Sequence, residues 1–597
     1  MPEAQVPAAT PAASEGDRIY TPAQGELQLT ARALAVGCLI GAVIATINMF
    51  FGLKTGWGVG GSILAAILSY AIFALLKPRM PFTVLETNIA QTAASAAGTM
   101  TMAAGLVAPI PALRLMGLEL DAMQLLAWAA SVAFIGVFYA VPLRRQMVLL
   151  ERLRFPSGTA TAHTIVAMFG SGAETLRRAR ALLVWAGISF GLVLAMWAVP
   201  AIKLLPLHAW LGGLAASLHA FTFSLYLDPM LLGAGVLVGM RVSLSLAAGA
   251  IVAWGVLAPL CREQGWAPGP VMSYGNGARG WILWTGVAIM LAEALTSLAL
   301  SWRSIVAVFR RQSAGAAAHD DAREAIPAAW WLGGLLASAV AACLALQALF
   351  GIPWWMTLVA VGLSWVLAAI AVRSSGETDI NPVSGVAKVT QLAFGGLARG
   401  QVATNLMAGA VTAAGASQAA DMMGDLKTGH MLGASPRKQF LAQLVGIAAG
   451  VLVVVPIYLL VTAGGIGDGN PDLPAPSAQA WKATAELVAV GFDALPPYAI
   501  WGVLGGLLFG IAVPLLRRLV PAAERFLPSA MAFGIAFIIP AYFSVPFLLG
   551  ALAHRAWQRR APTQAADLAF AVASGVLVGS GLASIVTPIL DALGLRL

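Results

Sequence analysis

Apolar residues run in blocks of about twenty along most of the chain, at 33–53, 57–76, 122–142, 181–205, 280–301, 328–350, 354–372, 440–463, 497–516, 526–550 and 565–590. At about 1.5 Å of rise per residue, such a block crosses a hydrocarbon core of about 30 Å as a helix. The short alternating segments of a membrane β-barrel are absent from the pattern. Trp57, Trp281, Trp330, Trp331, Trp354 and Trp355 stand at block ends, where indole rings settle at the membrane–water boundary. The pattern predicts an all-α polytopic membrane protein.

Other stretches are too short or too polar for an ordinary span. Residues 158–170 are too few, and the loops on either side carry Arg144, Arg145, Arg152, Arg154 and then Arg177, Arg178, Arg180. Basic loops favour the cytoplasm, so this segment is expected to be re-entrant or broken. Residues 229–260 are too many for one span and hold Gly239 and Arg241 near their middle. The runs 87–110, 383–396 and 402–420 are rich in Ala, Gly, Ser and Thr, residues that let helices approach closely in a bilayer. Counting half-spans, about sixteen membrane or half-membrane helices are expected. Glu86–Ile89 echoes Glu377–Ile380, and Leu53–Gly56 echoes Leu426–Gly429, but no single period fits. Broken segments in both approximate halves, 31–310 and 325–597, are the pattern of a transporter's binding site.

Composition agrees with the block pattern. Of 597 residues 59% are hydrophobic and 10% charged, against about 25% charged in a typical soluble domain. The net charge of +9 sits in short loops, which suits a membrane protein rather than a nucleic-acid partner. Residues 1–30 are expected to be a disordered polar tail, and residues 31–597 a single transmembrane domain. Cys38, Cys261 and Cys343 lie too far apart for a metal knuckle or a disulfide framework. The chain has no phosphate-binding G-x-x-x-x-G-K-[ST] and no H-E-x-x-H. ATP-driven pumping and metalloproteolysis are therefore not expected, and an ion gradient replaces any cofactor as the energy source.

Ionisable residues in or beside the irregular segments are the candidates for chemistry, because a charge at the bilayer centre is costly. Glu86, Asn88, Gln91, Arg241, Asn381 and Lys388 are expected to face a central cavity and bind substrate. Glu377, Asp379 and Asp421 are expected to carry the coupled proton. Glu377-Thr-Asp-Ile-Asn-Pro-Val-Ser-Gly385 is the densest polar run beside a membrane segment. Pro382 disfavours helix at Asn381, and Phe155-Pro-Ser-Gly158 would supply a matching break from the other half. Plainer readings stay open. Glu86 and Glu377 would serve as helix caps or clamps, Lys54, Asp425 and Lys427 as helix-end residues at the headgroups, and Arg241 and Glu293 as a buried ion pair.

Several runs resemble the bacterial members of the oligopeptide transporter family: Asn48-Met-Phe-Phe-Gly-Leu-Lys-Thr-Gly-Trp57, Thr87–Gly98, Glu151–Ala160, Gly376–Gly385 and Asp421–Phe440. The resemblance implies about sixteen membrane helices and proton-driven import. The sequence looks nearer to the yellow-stripe side than to the peptide carriers, because it lacks Lys-Ile-Pro-Pro-Arg and reads Asn381-Pro382-Val383. Short peptides, glutathione-like solutes and metal chelates are the implied substrates, and the cell membrane, as a bacterial inner membrane, the implied location. The lipid bilayer is the expected partner, with a homodimer left open. Two other classes are weighed, a lipid or prenyl transferase using Asp320-Asp321 and a channel.

Overall fold

The computed structural model describes residues 17–592 apart from 77–78, 171, 200–203, 206–217, 301–324, 380, 468–469, 471 and 525. In chain order the helices are α1 (Ala31–Thr55), α2 (Ser62–Leu76), α3 (Val84–Ala103), α4 (Pro109–Leu115), α5 (Ala122–Ala133), α6 (Ile135–Arg144), α7 (Pro156–Gly170) and α8 (Gly172–Ala198). Next come α9 (Pro229–Ala250), α10 (Ala258–Glu263), α11 (Ala278–Leu300), α12 (Ala328–Phe350), α13 (Trp354–Thr378), α14 (Val383–Leu397), α15 (Val402–Met431) and α16 (Pro436–Thr462). The last are α17 (Pro476–Val490), α18 (Ala499–Leu519), α19 (Ala530–Ile535), α20 (Ser544–Arg560) and α21 (Pro562–Ala592). Among the described residues, ten helices are long and apolar enough to cross a membrane. The remaining helices are shorter or more polar. The all-α polytopic class holds, with a two-residue antiparallel ladder, Leu204–Leu205 against Leu225–Tyr226, as the one strand pair described.

Small residues decide which helices pack closest. A Cβ added at Gly158 of α7 would lie 2.4 Å from the Gly424 carbonyl of α15, so only hydrogen fits where these two backbones meet. The run Thr404–Gly429 of α15 is mostly Ala, Gly, Met and Thr and is buried almost throughout. Small side chains replace a wide hydrophobic contact with close backbone approach. α3 is likewise buried nearly end to end, with Asn88 and Gln91 inside it.

Two apolar blocks fold differently from the pattern, and one overlong stretch breaks where it was expected to. The block 57–76 is not one span, because residues 57–61 are non-helical and α2 starts only at Ser62. Four glycines between positions 56 and 61 carry no side chain to hold a helix. The block 526–550 divides into α19 and α20 at Pro540, which cannot donate a helical hydrogen bond. In 229–260 Gly239 adopts φ 80°, ψ 178°, a break at the position the excess length pointed to.

Of the tail expected to be disordered, residues 1–16 lie outside the described residues. Residues 17–30 run along the ends of α15, α16 and α3. Ile19 N–H donates to the Met431 carbonyl at 2.9 Å, Lys427 meets Asp17 at 2.7 Å, and Gln28 Nε2 donates to the Ser435 carbonyl at 3.4 Å.

Candidate functional site

α1 ends at Gly56, whose φ of 80° suits a residue without a side chain. The following chain turns back along α1 without helical hydrogen bonds. Asn48, deep in α1, holds it: its Oδ1 accepts from Val59 N–H at 2.8 Å while its Nδ2 donates to the Gly98 carbonyl at 3.2 Å. A Cβ on Gly61 would lie 3.3 Å from Ile44 and 3.8 Å from Ser95, both near the middles of their helices. Non-helical backbone therefore reaches membrane depth, a state tolerated only inside protein or along a wet cavity.

A cavity of about 350 Å³ lies against this segment, walled by Phe51, residues 57–60, Ser62 and Ile63. Across it stand Ser157 at the start of α7, Ala234, Leu237 and Val238 just before the Gly239 break, and Phe570 of α21. Thus the short helix, the broken helix and the unwound segment share one cavity. Its volume is at the low end for small-molecule sites.

Behind Ser62 is a cluster of buried polar side chains. Asp421 and Asp425 stand one turn apart on α15, facing α3 and α16. Gln91 Nε2 donates to Asp425 Oδ1 at 2.5 Å, and Ser62 Oγ donates to the same oxygen at 3.4 Å. Ser95 Oγ donates to Asp421 Oδ1 at 2.8 Å, and Gln443 Nε2 to its Oδ2 at 3.4 Å. Asp425 is 1% exposed, and its Oδ2 has no hydrogen-bond partner. Both amide atoms of Asn88 and the Oε1 atoms of Gln91 and Gln443 are also buried without partners. Among the described residues no cationic side chain forms an ion pair with either aspartate.

The other expected site residues lie elsewhere. Glu86 is the third residue of α3, closes a capping box with Thr83, and accepts from Arg32 Nε at 2.7 Å and Nη2 at 2.6 Å. Glu377 is in ion-pair contact with Arg373 at 2.9 Å, and Arg373 reaches Glu151 at 2.7 Å. Asp379, with φ 67°, accepts from Ser157 N–H at 2.9 Å and from its hydroxyl at 2.5 Å, so it caps α7. The two expected breaks therefore do meet, joined also by Phe155 N–H donating to the Gly376 carbonyl at 2.9 Å. Asn381 Nδ2 donates to the Ala416 carbonyl at 3.4 Å.

Arg241 lies by Leu527, whose carbonyl accepts from Nε at 3.0 Å, and 3.7 Å from Glu524. The alternative pair of Arg241 with Glu293 does not form, since Glu293 accepts from Ser297 at 3.2 Å. Lys388 is 1% exposed and donates to Thr484 Oγ1 at 2.9 Å, away from the cavity wall. Lys54 pairs with Asp228, and Lys427 with Asp17.

Of the expected residues, Gln91 and Asp421 enter the cluster, Asn88 lies one turn from Gln91 on α3, and the sequence reading assigned no site role to Asp425, Ser62, Ser95 and Gln443. A signal was present. Gln91 and Ser95, Asp421 and Asp425, Gln439 and Gln443 are each four apart, which stacks each pair on one helix face.

The chain's similarities match this architecture. The model of the OPT oligopeptide transporter protein family matches residues 28–590. The putative oligopeptide transporter YGL114W of Saccharomyces cerevisiae is 27% identical, over 94% of this chain and 95% of its own. Metal-nicotianamine transporter YSL2 of Arabidopsis thaliana is 28% identical over 93% of this chain and 92% of its own. The probable metal-nicotianamine transporter YSL13 of Oryza sativa is 28% identical over 93% and 84%. These relatives are transporters, which removes the transferase alternative; its Asp320-Asp321 pair lies outside the described residues. With a match that runs from the tail's end through the last helix, taking in the cavity and the aspartate pair, the chain belongs to the OPT oligopeptide transporter family.

Proposed function

We propose that the protein is a proton-coupled secondary transporter, importing short peptides, peptide-like solutes or metal chelates across a bacterial inner membrane. The observation that carries this reading is the pair Asp421 and Asp425, buried beside a cavity and hydrogen-bonded only to neutral donors. Two carboxylates one helical turn apart in a poorly polarisable interior repel each other, and a proton bound at the pair relieves that repulsion. Ser62 belongs both to the cavity wall and to the hydrogen bonds of Asp425. A solute that displaces Ser62 therefore changes how well the pair holds its proton. Linkage makes the effect reciprocal, so proton binding changes solute affinity by the same factor.

Glu377 and Asp379 act in this reading as the joint that fixes α7 against α13, and Asp421 with Asp425 takes the proton. Both amide atoms of Asn88 and the Oε1 atom of Gln91 are uncommitted polar atoms nearby. The names of the relatives support the substrate range, which joins oligopeptides and metal–nicotianamine chelates.

The test is uptake by reconstituted protein under an inward proton gradient. A tripeptide, glutathione and iron–nicotianamine would each be run with and without an uncoupler. Saturable uptake of at least one, abolished by the uncoupler, is expected. Uptake indifferent to the uncoupler, or none by demonstrably folded protein, overturns the reading.

A further inference from the structure

Away from the cavity and the aspartate pair, a groove of about 570 Å³ runs between two pairs of helices. In one pair α8 packs on α21, where a Cβ at Gly575 would collide with the Leu182 carbonyl. In the other α9 packs on α20, where a Cβ at Gly550 would collide with the Leu232 carbonyl. Between the pairs, Trp185, Ile188, Leu192, Leu232, Val236 and Leu568 form an apolar wall. The Ser189 hydroxyl in the same wall donates to the Val576 carbonyl at 2.8 Å and lies 2.7 Å from Ser580 Oγ. With that hydroxyl already engaged, the middle of the groove suits hydrocarbon.

Polar side chains line one end. His554, Trp557 and Gln564 close the groove there, and Trp557 Nε1 donates to Gln564 at 3.5 Å. Arginines stand just beyond. Arg177 and Arg178 precede Ala181 of the wall by four and three residues, and Arg560 follows Trp557 by three, so each continues a helix face that lines the groove. Arg177 and Arg178 share the Asp567 carboxylate, at 3.2 and 3.8 Å, so one anion meets two guanidiniums. Arg180, Arg555, Arg559 and Arg560 are exposed. Over 172–180 and 553–568 together, six arginines stand against Glu174 and Asp567. Such basic ends favour the cytoplasmic side, which sets this end among the headgroups of the inner leaflet. From Ala181 to Leu192 the wall is about 16 Å long, roughly the depth of one leaflet.

We infer that this groove is a binding site for an anionic phospholipid of the cytoplasmic leaflet, with an acyl chain against the apolar wall and the phosphate among the arginines. The length of the wall fits a lipid chain, and the excess positive charge selects an anionic headgroup over a zwitterionic one. The inference does not rest on the import reading. The site is nevertheless placed to act on the transporter. Leu232, Gly233 and Val236 of α9 face the groove, whereas Ala234, Leu237 and Val238 face the inner cavity. On α21, Leu568 and Phe570 divide in the same way. A chain in the groove therefore backs the wall of the inner cavity just before the break at Gly239.

The test is native mass spectrometry of the full-length protein in detergent, titrated with phosphatidylglycerol or with phosphatidylcholine of the same acyl chains. Phosphatidylglycerol is expected to be held at least about ten-fold more tightly. Arg555→Gln/Arg559→Gln/Arg560→Gln alters exposed residues at a helix end and should bring the two lipids within about two-fold of each other. Ala553→Phe fills the groove beside His554 and should weaken retention of both lipids. Equal retention of the two lipids by the wild type, or an undiminished preference in the triple arginine variant, overturns the site. Unchanged retention of both lipids in Ala553→Phe overturns it as well. If that same variant also turns a dimer into a monomer, the groove belongs to a second copy of the chain instead.

Discussion

At the junction of α13 and α7, Asp379 accepts two hydrogen bonds from Ser157, and Glu377 lies against an arginine that also holds Glu151. On α15, Asp421 and Asp425 have only neutral hydroxyl and amide donors among the described residues, and one oxygen of Asp425 has none. Both regions come from polar runs beside small-residue helices, and the first run is the denser in sequence. Under the proposed reading, density of polar residues therefore does not locate the exchangeable charge. A carboxylate with an arginine or a helix start beside it is held in place. A carboxylate buried beside neutral donors keeps a reason to take up a proton.

That contrast can be broken in graded steps. Asp425→Asn should lower gradient-driven uptake by about 100-fold, because the variant amide cannot cycle a proton; initial uptake rates in proteoliposomes check it. Glu86→Ala should destabilise the fold by about 2–3 kcal/mol, since it leaves Arg32 without its buried partner. The partial exposure of Arg32 keeps the effect below that of a fully buried pair. The unfolding midpoint in detergent reads this directly. Gly158→Ala should cost about 1–3 kcal/mol, as its Cβ meets the Gly424 carbonyl and must part α7 from α15. Asp379→Ala should cost about 1 kcal/mol through the lost cap of α7, with uncoupler-sensitive uptake retained. If Asp379→Ala instead abolishes coupling while Asp425→Asn does not, the contrast is reversed.

Much of the architecture was legible in the sequence, for definite reasons. Apolar blocks of span length can hardly do anything but cross a bilayer, and ten such helices form. The shortness of α7 and the break at Gly239 followed from counting residues against membrane thickness. Residues 57–61 were misread because Trp, Val and Gly score as apolar, whereas backbone freedom at the glycines decides their conformation. The meeting of Phe155–Gly158 with Gly376–Asp379 was anticipated from two proline breaks. The aspartate pair was only half read. Asp421 was chosen, but Asp425 looked like a helix-end residue because nothing local tells that α15 runs on to Met431. Lys388 and Arg241 illustrate the converse. Each is an ionisable residue within a membrane segment, yet tertiary packing gives one a threonine and the other a carbonyl and a glutamate away from the cavity.

In the proposed mechanism the proton is held at Asp421 and Asp425. The most direct test compares two modes of transport in Asp421→Asn/Asp425→Asn: net uptake driven by a proton gradient, and exchange of labelled for unlabelled solute at equal pH. Net uptake and its accompanying proton influx are expected to disappear while exchange continues, because the cavity remains and only the coupling site is gone. Proton-driven accumulation at the wild-type rate by the double variant would contradict it.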